Sequence, residues 1–82
     1  MVKVIIVTTK VCPYCPPAKA LWRKLQKKYK FDYEEVDGST EKGQDLAVKF
    51  NIRAVPTTII DDEVVFVGVP PENKAIEAVR GA

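Results

Sequence analysis

Val2, Val4, Ile5, Ile6 and Val7 form an almost continuous apolar run broken only by Lys3. β-Branched side chains favour extended backbone, and a run without alternation predicts a strand covered on both faces. The stretch Met1 to Val7 therefore reads as a strand, and Thr8 to Val11 as a short loop. The period then changes. Ala18, Leu21, Trp22, Leu25 and Tyr29 fall at i, i+3, i+4, i+7 and i+11, which predicts a helix from Tyr14 to about Tyr29 with one apolar stripe and Trp22 in the core. Lys19, Arg23, Lys24, Lys27, Lys28 and Lys30 fill the other positions as a solvated face, or as a docking face for an acidic partner. Pro13 suits a first helical position. Pro16 and Pro17 remove amides that would bond the carbonyls of Cys12 and Pro13, so the pattern predicts a loosened first turn with those carbonyls free beside the sulfurs.

Phe31 to Val36 reads as a second strand, followed by a turn at Asp37-Gly38-Ser39 and by Thr40 as the N-cap of a helix with Leu46, Ala47 and Phe50 inward. Val55 to Ile60 is a strand that opens on a proline, as a trans proline would open an edge strand. Asp61-Asp62-Glu63 turn the chain into Val64 to Val67, and Gly68 ends that strand or lets backbone approach closely. A last helix begins near Pro71-Glu72 and buries Ala75, Ile76 and Val79. The order is β-α-β-α-β-β-α, without repeats, linkers or low-complexity tracts.

At 82 residues the chain has room for one domain, and its 46% hydrophobic and 29% charged content suits a folded core. A net charge of +2 gives no reason to expect nucleic acid or a membrane surface as partner. No apolar run approaches the roughly 20 residues of a spanning helix, and Met1 to Val7 lacks the parts of an export signal. Cytoplasm is the expected compartment.

The chemistry concentrates at Cys12-Pro13-Tyr14-Cys15, which holds both cysteines of the chain. Two sulfurs three residues apart at a helix start can close a disulfide, and the helix N-terminus supplies free amides and partial positive charge that favour a thiolate. Cys12 reads as the attacking sulfur at the N-cap, Cys15 as the resolving one, and Lys10 as an added positive charge. Tyr14 is a stacking or hydrogen-bonding ring at the site, or a plain exposed spacer. His is absent, so no Cys–His nucleophile can form, and no side chain stands out as a general acid. Two other readings of the pair remain. A static disulfide over so small a loop would add little stability and would be reduced in cytosol. A metal site would need four ligands, hence a dimer sharing its cysteines or an exogenous thiol.

The first strand, the C-P-Y-C motif opening a helix, and Val55-Pro56-Thr57 opening a strand before a hairpin together resemble the thioredoxin/glutaredoxin superfamily over nearly the whole chain. C-P-Y-C, the short length and Lys10 resemble dithiol glutaredoxins, and Ala54-Val55-Pro56-Thr57 resembles thioredoxins. The mixture is similar to small archaeal and bacterial glutaredoxin-like thioredoxins. The resemblance implies an α/β thioredoxin-like fold: a central four-stranded mixed sheet with three helices, as a single domain over 1–82. It also implies a cis bond at Val55–Pro56 beside the motif, with the Val55 backbone pairing with an extended substrate. Gly68 would lie close by, and Val69 and Pro70 would form an apolar rim with Pro13 and Ala54.

The activity implied is that of a monomeric protein-disulfide reductase cycling Cys12 and Cys15, with no cofactor and no metal. Where glutaredoxins hold the glutathione carboxylates, this chain reads Gly68-Val69-Pro70-Pro71-Glu72. That favours a thioredoxin-reductase-type flavoenzyme as electron donor, with a glutathione-dependent glutaredoxin as the alternative and a dimeric metal or iron–sulfur carrier further off. The buried acid of thioredoxins has no counterpart, since Val2 to Val7 offers only Lys3.

Overall fold

Val4 to Thr8 are buried throughout β1 (Lys3–Thr8), because this strand has a neighbour on each edge and helices over each face. A computed structural model describes residues 2–80; Met1 of the expected first strand, and Gly81 and Ala82 of the expected 1–82 span, lie outside them. The chain continues as α1 (Cys15–Gln26), β2 (Asp32–Asp37), α2 (Glu41–Phe50), β3 (Thr57–Ile60), β4 (Glu63–Val67) and α3 (Glu72–Arg80), the order expected. The four-stranded sheet runs β2-β1-β3-β4. β1 is parallel to β2 and antiparallel to β3, and β3 is antiparallel to β4. This mixed sheet places the end of β1 and the start of β3 side by side, with Val7 opposite Thr57.

Alternation along β1 divides the core in two. Val4 and Ile6 pack with Ala18, Trp22 and Leu25 of α1, Ala75 and Val79 of α3, Phe31 and Ile60. Ile5 and Val7 face the other way, onto Val36, Ile59 and the α2 residues Leu46 and Phe50. Trp22 has no exposed surface, and its Nε1–H donates to Thr58 Oγ1 at 3.2 Å. Without that acceptor, a buried indole donor would cost about 1–3 kcal/mol.

The boundaries move for local reasons. α1 begins at Cys15 rather than Tyr14, with Tyr14 as N-cap and the prolines in its first turn. Amides there have no intrahelical acceptor, so two residues without N–H fit without a kink. The Cys12 carbonyl is therefore not free: it accepts the Cys15 amide at 3.4 Å. α1 ends at Gln26, after which the Lys28 and Tyr29 amides both close onto the Leu25 carbonyl. β3 starts at Thr57 because Pro56 has no amide for the ladder. Asp61 and Asp62 both take positive φ (49° and 64°), a two-residue type I′ turn that leaves Glu63 in β4. Thr40 caps α2 as expected, its hydroxyl accepting the Gly43 amide at 3.1 Å.

Candidate active site

The loop from β1 into α1 carries both sulfurs, each a free thiol. Helical geometry separates them by depth. Cys15 is the first residue of α1, points inward and is 1% exposed. Cys12 precedes the helix, is half-buried, and donates its thiol hydrogen to the Val55 carbonyl at 3.6 Å. Val55 precedes cis Pro56, whose ring is buried. The expected cis bond at Val55–Pro56 is present.

Their ionisation diverges. Desolvation raises the Cys12 thiol, but hydrogen bonds from the Cys15 thiol and from the amides of Tyr14 and Cys15 outweigh it and bring Cys12 below the ordinary thiol range. Cys12 is not itself the N-cap, yet the amides that reach it belong to the helix start, as the macrodipole argument requires. Desolvation pushes the Cys15 thiol up, and its bond to Cys12 and the charge there push it further; the Thr9 amide and Lys19 oppose this only in part. Of the two thiols, the outer one therefore ionises more readily and the inner one less readily than an ordinary thiol.

The other candidates lie around this pair at different distances. Pro13 and Tyr14 are exposed, Tyr14 by 64%, as are the apolar Val11 (90%) and Val69 (43%). Pro70, expected on an apolar rim with Pro13 and Val69, is buried instead. Gly68 has φ +88°, and its amide donates to the Pro56 carbonyl at 2.7 Å. A Cβ there would meet nothing within 4 Å, so of the two readings of Gly68, close approach or strand end, the structure shows the strand end, with a positive φ. Lys10 is exposed, and its charge bears on Asp37 rather than on Cys12. It shares a polar surface cavity of about 190 Å³ with Thr8, Thr9, Lys19, Glu35 and Asp37.

Lys19 and the Thr9 amide are the groups that the sequence reading passed over. Lys19 sits one helical turn beyond Cys15 on the same side of α1, a spacing visible in the chain. Its meaning depends on β2 lying alongside, which the spacing does not reveal.

A thiol of lowered pKa above a buried partner of raised pKa suits two successive thiol–disulfide exchanges. Other chemistries fit less well. A four-cysteine cluster between two copies would need Cys15, which cannot reach a second chain from its buried position. Among the described residues no group of three or more His, Cys, Asp or Glu side chains could hold a metal ion. In the stretch after β4, Val69 is exposed and Pro70 is buried. No helix among the described residues is long and apolar enough to cross a membrane.

The family described as thioredoxin domain matches residues 2–80. A probable thioredoxin from Archaeoglobus fulgidus is 34% identical over 98% of this chain and 88% of its own length. The thioredoxin of Methanocaldococcus jannaschii is 29% identical over 96% of this chain and 93% of its own. Among solved structures, a mutant thioredoxin from Halobacterium salinarum superimposes with a TM-score of 0.81 over 98% of this chain and 73% of its own, and at 21% identity it speaks to the fold alone.

Proposed function

This chain belongs to the thioredoxin domain family and is a thiol–disulfide oxidoreductase with protein disulfides as its substrate class; on that premise we propose that Cys12 and Cys15 carry its electrons. The observation that supports the assignment is the opposite displacement of the two thiols, Cys12 downward and accessible, Cys15 upward and buried. The Cys12 thiolate attacks one sulfur of a substrate disulfide, breaking the S–S bond. One substrate sulfur leaves as thiolate and takes a proton from solvent. Cys15 then loses its proton, attacks Cys12 in the mixed disulfide, and expels the second substrate sulfur. The substrate gains two electrons and the Cys12–Cys15 disulfide forms.

The remaining parts of the assignment follow from position. The Val55 carbonyl lies within bonding distance of the Cys12 sulfur, so an extended substrate can pair with the Val55 backbone as its disulfide reaches Cys12. Pro13, Tyr14 and Val69 give that segment an apolar surface, and Pro56 and Gly68 hold the loop that presents it. The electron donor is a thioredoxin-reductase-type flavoenzyme, because the Gly68–Pro71 stretch offers little to a glutathione carboxylate. The protein works as a monomer in the cytoplasm.

Insulin-disulfide reduction tests this reading. Wild type turns over with dithiothreitol or with a thioredoxin reductase, and slowly with glutathione and its reductase. Cys12→Ser abolishes attack, whereas Cys15→Ser accumulates the mixed disulfide. Full activity in Cys12→Ser would overturn the roles, and brisk glutathione-driven turnover would overturn the donor.

A further inference from the structure

Resolution of the mixed disulfide needs a thiolate at Cys15, the more deeply buried sulfur of the pair. Among the described residues the first β-strand carries no carboxylate, and no charge is buried beside Cys15 to take its proton. A polar cavity at the mouth of β1, α1 and β2 is lined by Thr8, Thr9, Lys10, Lys19, Glu35 and Asp37, without Cys15 itself. Thr9 belongs to both places: its side of the cavity faces Lys19 and Glu35, and its amide reaches the Cys15 sulfur. Lys19 is half-buried on the α1 turn that follows Cys15.

The charges around Lys19 leave its ammonium uncommitted. Glu35 is already held by Arg23 through two hydrogen bonds, at 2.7 and 2.6 Å, and by Tyr33 Oη at 2.8 Å. Asp37 takes the Ser39 amide at 2.8 Å and the Ser39 hydroxyl at 2.7 Å. Lys10 faces Asp37 from the β1 side. Lys19 has a field on Glu35, Asp37 and Cys15 without an ion pair to any of them among the described residues.

We propose that Lys19 is the positioning residue for the second exchange, its ammonium, one helical turn beyond Cys15, supporting the Cys15 thiolate while the proton leaves to solvent. The inference rests on the proposed roles of Cys12 and Cys15. Its logic is a change of charge between steps. In the reduced protein, the thiolate on Cys12 keeps the Cys15 proton in place by hydrogen bond and by repulsion. Once Cys12 is bonded to substrate that charge is gone. Burial still opposes ionisation, and Lys19 with the Thr9 amide now acts without opposition from Cys12. The lysine thus has little effect on the first exchange and its main effect on the second.

An aromatic disulfide, 5,5′-dithiobis(2-nitrobenzoate), separates the two steps, because attack by Cys12 releases one nitrothiobenzoate and resolution by Cys15 releases the other. Stopped-flow absorbance in slight excess of protein follows both. Lys19→Gln slows the second release about three- to tenfold at neutral pH, the range expected for loss of one nearby, partly screened charge, and moves its pH midpoint upward. The first release keeps its rate, which also shows that the variant is folded. Lys19→Arg restores the second phase. An unchanged second phase, or equal slowing of both phases, would overturn the proposal for Lys19 alone. A wild type that releases no second equivalent and forms no Cys12–Cys15 disulfide would overturn the cysteine roles, and this inference with them.

Discussion

Replacing a glycine near the start of a helix by alanine ordinarily stabilises it by about 0.5–1 kcal/mol, because glycine gives up more backbone freedom on folding. Gly43→Ala reverses that sign in this protein. A Cβ at Gly43 would stand 2.2 Å from the Asp37 carbonyl oxygen, 2.6 Å from the Gly38 Cα and 2.9 Å from the Asp37 carbonyl carbon. All are backbone atoms, so no rotamer change relieves the contact. α2 must move away from the end of β2 by about an ångström. That shift stretches the Thr40 cap on the Gly43 amide and lifts Leu46 and Phe50 off Ile5, Val7 and Val36. Overpacking of this kind costs about 1–3 kcal/mol, and weakening a cap about 1 kcal/mol. After subtracting the propensity gain, the net loss is about 2 kcal/mol.

For a chain of this size that loss lowers the thermal midpoint by about 8–16 °C. Urea unfolding followed by Trp22 fluorescence measures it directly, since the indole is fully buried in the native state. The midpoint falls while the slope with denaturant stays that of wild type. A Gly43→Ala variant as stable as wild type, or more so, would refute the claim that α2 docks through close backbone contact at this residue.

Gly68→Ala loses about 1 kcal/mol from its φ of +88° alone, because a Cβ there meets nothing; Gly68→Asn recovers part of this in the same urea experiment. Trp22→Phe leaves the Thr58 hydroxyl buried without the indole donor and destabilises by about 1–3 kcal/mol beyond the lost packing; adding Thr58→Val returns part of that loss in a double-variant cycle. Burial raises the Glu35 carboxyl, but Arg23 and Tyr33 outweigh it and hold the group below the usual carboxylate range. A depressed folded value stabilises above the unfolded pKa of about 4.3 and is lost as pH falls through the folded value, so wild type loses more stability on acidification from pH 5 to pH 3 than Glu35→Gln does. Parallel acid limbs for the two proteins would remove Glu35 from that account.

The sheet and its helices were legible wherever one physical requirement governed a run of residues. β1 is apolar on both faces because both faces are covered, and the α1 stripe ends in Leu25 because that face meets β1 and α3. Thr40 could be read as a cap from its residue type and place. The start of α1 was misjudged although the signal was present: paired prolines fit best where amides have no acceptor, which puts Cys15, not Pro13, at the first turn. Other features are set by distant partners and leave no local trace. Gly43 looks like a weak spot in a helix until Asp37 is placed against it. The cis bond before Pro56 came from family resemblance, as a bare Val-Pro pair favours trans. Lys10 and Lys19 are equivalent by composition; the position of β2 brings both charges to bear on Asp37, and only Lys19, on α1 with Cys15, also has a field on that sulfur.

The means by which the two sulfurs are tuned differ in kind. Cys12 is lowered by hydrogen-bond donors, the Tyr14 and Cys15 amides and the Cys15 thiol, rather than by a neighbouring ion. Backbone amides do not titrate, and their positions are fixed by the N-terminus of a helix whose inner face is locked around Trp22. The two amide contributions to Cys12 therefore do not depend on the ionisation of surrounding side chains, whereas the Cys15 thiol contribution does. Cys15 stands in the opposite regime: its proton answers to the charge on Cys12 and to a partly exposed lysine. Interacting groups of this kind titrate as a pair, so the two ionisations are properties of the motif as a whole. The chemical order follows from that coupling. In the cycle proposed above, charge on Cys12 holds the Cys15 proton, and bond formation at Cys12 removes that charge.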